Sequence, residues 1–456
     1  MPHQRKLRSD VDMTQGSVVG HLVRFAVPLI AGSLFQQLYN MVDTWVVGNF
    51  VSNEAFSAVG SVGPIINMLI GFFTGLSNGA GVVISQYYGA KREEAVRKAV
   101  HTAVTMTLFM GILFTALGIG ITPFMLRFMK TPDNVMPESS AYLTIYFGGI
   151  LGLMFYNMGA GILRAVGDSK RPFYFLVVCA LLNVILDLVL VLGFGMGVDG
   201  VAWATVISQA VSALLVLLTL LRADGWIRLR LLRLRLHWDI FKQILAIGLP
   251  AALQFAVTAF SNVFVQSYIN FFGADCMSGW TAFNKIDQLL KLPMESIALA
   301  CSTFVGQNLG SGQPKRAKRS VRIASGLAML CTAVLIVAVI YPFAPHLVAF
   351  FNGKEAVVEY GTLFLYWMSP FFLLNCISQI YACGLRGAGN TKAPMVILLG
   401  SFVCFRQLYL FIMANFISNT VLPIAMGYPA GWLVAALLML IYYHFADFEK
   451  YSVVKT

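Results

Sequence analysis

The chain reads as an all-α polytopic membrane protein, twelve transmembrane helices in two pseudo-symmetric six-helix lobes arranged as parallel repeats. Three observations lead there. Hydrophobic residues make up 58% of the 456 residues and charged ones only 11%, with mean hydropathy +0.76, far from the soluble average. Apolar stretches long enough to cross a bilayer as helices recur along the whole chain. The sequence also repeats itself: Leu163–Pro172 (LRAVGDSKRP) returns 222 residues later as Leu385–Pro394 (LRGAGNTKAP). The same offset carries Pro28 onto Pro250, and an offset one shorter carries Gln86 and Gly89 (QYYGA) onto Gln307 and Gly310 (QNLGS). Three such features argue for duplication rather than accident.

In order, the first half places spans at roughly 23–47, 57–80, 95–118, 141–160, 173–193 and 200–221, and the second at roughly 243–269, 281–305, 320–342, 360–383, 395–416 and 421–444. The first span contains Pro28, a ready hinge because proline removes a backbone donor and clashes with the preceding turn, and Asp43 near its outer end. Pro250 occupies the matching place in the seventh. The fourth and tenth spans end in the repeated decapeptide. Its Gly permits a tight turn, its Asp168-Ser169 or Asn390-Thr391 pair can cap the next helix, and its Pro can sit in that helix's first turn. Six crossings per half give both halves the same orientation, so the lobes are expected at 1–221 and 243–456, with 222–242 as a cytoplasmic linker. Lobes repeated in parallel can rock against each other about a substrate site at their interface.

Charge sets the topology. Of the 32 Lys and Arg, 26 fall in the two tails, the linker, the alternate loops on one side or the span ends adjoining those loops, and only Arg127, Lys130 and Lys354 lie on the other. Both termini are therefore expected in the cytoplasm, with the protein multi-pass in the cell inner (plasma) membrane. The net charge of +12 arises from those loops and does not require nucleic acid. The polar start, MPHQRKLRSDVDMTQ, does not resemble a cleavable signal. In the linker, RADGWIRLRLLRLRLHW interleaves Arg and Leu without forming a clean amphipathic helix. Pinning to anionic headgroups, or a specific lipid site, are both open readings. Cys179, Cys301, Cys331, Cys376, Cys383 and Cys404 fall within or beside spans, and Cys276 is expected in an outer loop; an odd count argues against a disulfide framework. No CxxC, HExxH, GxxxxGK[ST] or aspartate-rich motif is present, so an ATPase, zinc-enzyme or prenyltransferase reading has nothing to rest on.

Acids inside spans are functional candidates because a charge in the bilayer is expensive. Asp43 lies in YNMVDTWVVG of span 1 and Asp187 in NVILDLVLVLG of span 5, with Asn183 one turn earlier on the same face. Thr205 in span 6 could complete an oxygen-rich pocket for a proton or a monovalent cation such as Na+, since hard ions want oxygen ligands. Helix capping or hydrogen bonding by each Asp is the alternative.

These residues belong to a pattern that resembles the multidrug and toxic compound extrusion (MATE) transporters over nearly the whole chain, most closely the prokaryotic branch that includes the DNA-damage-inducible F type. The resemblance is carried by VDTWVVG with Pro28 fifteen residues before its Asp, by QYYGAKR and GQNLGSG, by the paired decapeptides, and by NVILD followed by GVDGVAWATVISQ. It implies two six-helix lobes around a central cavity and export of cationic or amphipathic drugs in exchange for protons or sodium ions. It further implies a cation site at Asp43, Asn183, Asp187 and Thr205, a bendable first helix at Pro28, and a polar cavity residue at Gln36.

The second half has lost the acids: at the 222 offset Asp43 becomes Val265, Asp187 becomes Tyr409 and Asn183 becomes Phe405. Coupling is thus expected in the first lobe alone. Span 8 instead carries Lys285, Asp287, Lys291 and Glu295, and the last three share a face at i, i+4 and i+8. They could neutralise one another or touch a charged substrate. Arg406 in span 11 is a further cation without an evident partner. Gln36, Asn157, Tyr156, Met68, Met154, Met158, Phe255, Phe260 and Phe264 are candidates for a substrate cavity, because Met and aromatic walls adapt to unlike apolar cations. The expected function is secondary active drug export without a cofactor beyond the coupling ion, by a monomer in contact with membrane lipid. A lipid-linked oligosaccharide flippase, with Lys285, Lys291 and Arg406 on a pyrophosphate, is the alternative. A membrane-embedded enzyme lacks any paired catalytic motif.

Overall fold

The computed structural model describes residues 11–51, 53–129 and 131–454; Lys130, one of the three outer cations expected from sequence, lies outside them. Among the described residues twelve helices are long and apolar enough to cross a membrane. They are α1 (Val18–Gly48), α2 (Ala58–Gly89), α3 (Glu93–Phe128), α4 (Met136–Ala165), α5 (Lys170–Gly193), α6 (Gly197–Arg222), α7 (Trp238–Asn270), α8 (Ala274–Gly310), α9 (Pro314–Phe351), α10 (Glu355–Gly387), α11 (Lys392–Ile417) and α12 (Val421–Phe445). Each expected span is present, and most helices run beyond it. Hydropathy marks the apolar band, ~30 Å thick, whereas the 36 residues of α3 extend ~54 Å at ~1.5 Å per residue. The protruding turn of α3 is polar and pairs with itself, Glu93 with Arg97 at 2.8 Å and Glu94 with Lys98 at 2.6 Å. Cys276 departs from expectation: it is buried in the first turn of α8 rather than placed in a loop. Helix formation begins at Ala274, directly after Gly273 (φ +92°) turns the chain.

Contacts divide the chain into two compact units whose boundaries fall at the two matched prolines. The first unit holds Pro28–Leu249 with Val11 and Asp12; the second holds Met13–Val27 and Pro250–Thr456. Each unit thus contains the first turns of the other repeat's leading helix. Polar clasps explain this. In the second unit Gln307 Oε1 accepts from the Met13 N–H (3.1 Å), Asn308 Nδ2 donates to Met13 O (3.1 Å), and Arg316 Nη2 donates to Gly16 O (2.9 Å). In the first unit the Arg230 N–H donates to His101 Nε2 (3.2 Å), the His237 N–H to Thr102 Oγ1 (3.2 Å), and Tyr87 Oη to Gln243 Oε1 (2.8 Å). Bare glycine backbones let α2 and α7 meet there: a Cβ on Gly79 would lie 2.5 Å from Gly248 Cα.

Within the first unit α4 packs against α2, α3 and α6 around a core that includes Val46, Val62, Phe73, Leu143, Phe147, Ile150 and Val201. In the second, α8 packs against α9 and α10 and buries Trp280, Phe283 and Phe304. The repeated decapeptides make the same turn twice. Gly167 and Gly389 take φ +94° and +96°, and the Asp168 and Asn390 N–H groups reach back to the carbonyls of Leu163 and Leu385, both at 3.0 Å, closing Schellman turns. Asp168 Oδ1 then accepts from the Lys170 and Arg171 N–H groups, both at 3.1 Å, and Asn390 Oδ1 from that of Ala393 at 3.3 Å. The loops are built by capping.

Candidate functional site

Three helices of the first unit bring the expected cation ligands together. In α1, Gln36, Tyr39 and Asp43 follow one another at helical spacing; α5 supplies Asn183 and Asp187 one turn apart; α6 supplies Thr205. Directly after Asp187 the helix widens into π-helical turns over Leu188–Gly193, the kind of local irregularity that recurs at functional sites. Asp187 has no exposed surface, Asn183 is buried and Asp43 is half-buried. The carboxyl groups of Asp43 and Asp187 lie close enough to interact with each other.

The buried polar atoms are conspicuously unsatisfied. Among the described residues, both carboxyl oxygens of Asp187, Oδ1 of Asp43, and both amide atoms of Asn183 are buried without a hydrogen-bond partner, and neither acid takes part in an ion pair. Each such group costs about 1–3 kcal/mol when left unmet, so the cluster calls for an occupant. Thr205 spends its proton on Val201 O at 3.0 Å, which leaves its oxygen lone pairs as acceptors. Two carboxylates, an amide oxygen and a hydroxyl oxygen suit a proton shared between the acids or a small hard monovalent ion. Among the described residues no three His, Cys, Asp or Glu side chains cluster.

Sequence reasoning missed the phenol wall of this site. Tyr142 of α4 interacts with Asp43, Asp187 and Thr205, Tyr39 with Asp43 and Gln36, and Tyr146 stacks on Tyr142 at 6.4 Å and lies beside Gln209. The one available signal was the i, i+4 tyrosine pair in AYLTIYFGG.

The candidate cavity residues do not form one constellation. Gln36 stands beside Tyr39 at the candidate cation site, and Met68 is half-buried on α2. Tyr156 Oη donates to Pro172 O at 3.2 Å; Asn157 donates its amide to Leu153 O of its own helix at 2.9 Å. Met154 and Met158 line an apolar gap inside the first unit with Phe73, Met106 and Met110. In the second unit, Phe260 and Phe264 are exposed and meet edge to face at 5.3 Å, while Phe255 underlies the Arg386 guanidinium at 5.6 Å. The charge ladder closes only halfway: Lys291 pairs with Asp287, whereas Glu295 is exposed and makes no ion pair among the described residues. Arg406 is buried, with Nη2 donating to Ser261 Oγ and Asn262 Oδ1, both at 2.9 Å, and its Cζ 4.5 Å from the Tyr428 ring centre.

Comparison with known proteins agrees with the duplicated plan. A family model, MatE, matches twice, at residues 28–189 and 250–412, the two matches starting at Pro28 and Pro250. The chain is 30% identical over 437 residues to the probable multidrug resistance protein YoeA of Bacillus subtilis, covering 93% of each. It is 26% identical to the probable multidrug resistance protein NorM of Thermotoga maritima, covering 95% of this chain and 93% of that one. In structure it matches the outward-facing conformation of a multidrug resistance MATE family transporter with TM-score 0.90 and 22% identity, covering 96% of this chain and 98% of the other. With both halves matched by the family model and the twelve helices folded in the same way, the chain belongs to the MatE family of multidrug efflux transporters.

Proposed function

We propose that this transporter is a secondary active antiporter. It exports cationic or amphipathic organic compounds across the cell inner membrane, in exchange for protons or sodium ions, by alternating access. The observation that carries the reading is the Asp43–Asp187 pair with its orphaned oxygens beside Asn183 and Thr205. Two desolvated acids in contact cannot both stay ionised without a counter-charge, so the cluster takes up a proton or a cation when it faces one side and releases it when hydrated from the other. Its occupancy changes the charge beside α1, which carries Pro28 inside the helix where the unit boundary falls; ion uptake is thereby converted into helix movement at the proline. Pro250 is the matching hinge without an acid nearby in the repeat.

The curated relatives are named as multidrug resistance or export proteins, which supports small organic molecules as the cargo. Both termini are placed in the cytoplasm on the loop charges, and the chain works as a monomer surrounded by lipid. A flippase reading is weaker because Lys291 is already committed to Asp287. The test is export of a cationic dye from vesicles under an imposed proton or sodium gradient. Gradient-driven export is expected in the wild type, and Asp43→Asn and Asp187→Asn are each expected to reduce it at least tenfold. Full export by both variants would move the coupling site elsewhere.

A further inference from the structure

In the second lobe, the helices equivalent to those of the candidate cation site meet around a buried cation instead. The first-lobe ligands come from α1, α5 and α6; at the 222 offset those helices become α7, α11 and α12. Those three helices converge on Arg406, whose repeat position in α5 is Val184, next to Asn183. Ser261 and Asn262 of α7 take the places of Tyr39 and Asn40, and Tyr428 of α12 takes that of Val206. A π-helical stretch again adjoins the charged residue, Gly400–Phe405 directly before Arg406.

Arg406 is 3% exposed, and among the described residues every partner it has is neutral. Nη2 donates to Ser261 Oγ and Asn262 Oδ1, the guanidinium lies over Tyr428, and Nε is buried with no acceptor. Gln407 Nε2 holds Ser261 in place by donating to its carbonyl (3.0 Å) and hydroxyl (2.9 Å). A buried guanidinium without a carboxylate among the described residues is an uncompensated charge, and its unmet Nε–H is a donor for an oxyanion. Lys291 does not share that role, because Asp287 neutralises it. Exposed Asn262 and half-buried Tyr428 border the guanidinium, and Tyr428 continues into an aromatic wall through Trp280 at 5.6 Å and Trp432 at 6.0 Å.

We infer that Arg406, positioned by Ser261, Asn262 and Tyr428, is an oxyanion subsite, and that the exported compounds include zwitterionic amphiphiles bearing a carboxylate beside an aromatic or cationic body. The cargo assignment rests on the transport reading above, but the site can be tested by binding alone. Rhodamine B carries a carboxylate and its ethyl ester does not; the xanthylium body is the same. Both are titrated by fluorescence anisotropy onto the full-length protein in phosphatidylcholine nanodiscs without any ion gradient. The wild type is expected to bind rhodamine B at least tenfold more tightly than the ester. Arg406→Gln is expected to lose that preference through weakened binding of rhodamine B, and Arg406→Lys to retain part of it. A wild type that binds the ester as well as the acid would overturn the inference whether or not any variant folds. So would an Arg406→Gln protein that keeps the preference. Loss of the preference when phosphatidylglycerol is added would give the site to a lipid phosphate and contradict the cargo assignment. Failure of gradient-driven export with the binding preference intact would sink the antiport reading and leave this site standing.

Discussion

Asp187 and Asn183 illustrate what a single residue reveals in this chain. Their spacing of four predicts a shared helix face, and both are buried on the same side of α5 with Asp43 opposite. Because two like charges in a desolvated site repel, Asp43→Asn or Asp187→Asn is expected to leave the thermal midpoint unchanged or to raise it, while export falls. A drop of several degrees with export retained would make the acids structural. The two decapeptide arginines are expected to differ. Arg386 Nη2 donates to Gln254 Oε1 and its guanidinium lies over Phe255, whereas Gly32 stands where the first repeat would need that glutamine and Arg164 Nε is buried without a partner. Arg386→Gln should cost about 1.5–3 kcal/mol, as for a hydrogen bond to a charged group, and Arg164→Gln less. Melting curves read separately from transport per molecule check this, and equal losses would contradict it. The acids could be read from sequence because buried charge is rare in spans. Tyr142, Tyr146 and the neutral partners of Arg406 could not, because polar and aromatic side chains are common in spans and only packing selects the ones that meet.

At the scale of the helix, apolar length located all twelve spans but not their ends. The ends are fixed by polar turns such as Glu93–Lys98 and by the Schellman closures at Gly167 and Gly389, which hydropathy does not register. The prolines are better defined. Pro28 and Pro250 both lie inside helices and both mark a change of packing unit, but only α1 carries one of the two paired acids, since Asp43 becomes Val265 in α7 and Asp239 lies in that helix's first turn. Pro28→Ala is therefore expected to reduce export several-fold more than Pro250→Ala, measured as initial dye efflux per molecule; equal loss would reduce both to packing. Gly79→Ala tests the close approach to α7. A methyl 2.5 Å from Gly248 Cα must displace backbone, and overpacking of this kind costs about 1–3 kcal/mol. A midpoint unchanged in the melting curve would contradict that contact.

Across the whole molecule, the duplication was legible from one decapeptide and two prolines. The exchange of leading segments between units was not. It depends on backbone clasps such as Met13 with Gln307 and His237 with Thr102, which involve short polar stretches that no periodicity marks. The two repeats have diverged in charge while retaining their turns, with an acid pair on α1 and α5 in the first and, on the equivalent α11 of the second, an arginine one position from the counterpart of Asn183. In the proposed mechanism the first-lobe acids exchange an ion for cargo. The direct measurement is ion movement on addition of a cationic dye to proteoliposomes, followed with an internal pH indicator and, in parallel, with radioactive sodium. The wild type is expected to move one of these ions opposite to the dye, and Asp187→Asn to move neither. Ion movement by Asp187→Asn at the wild-type ratio to dye would contradict the account.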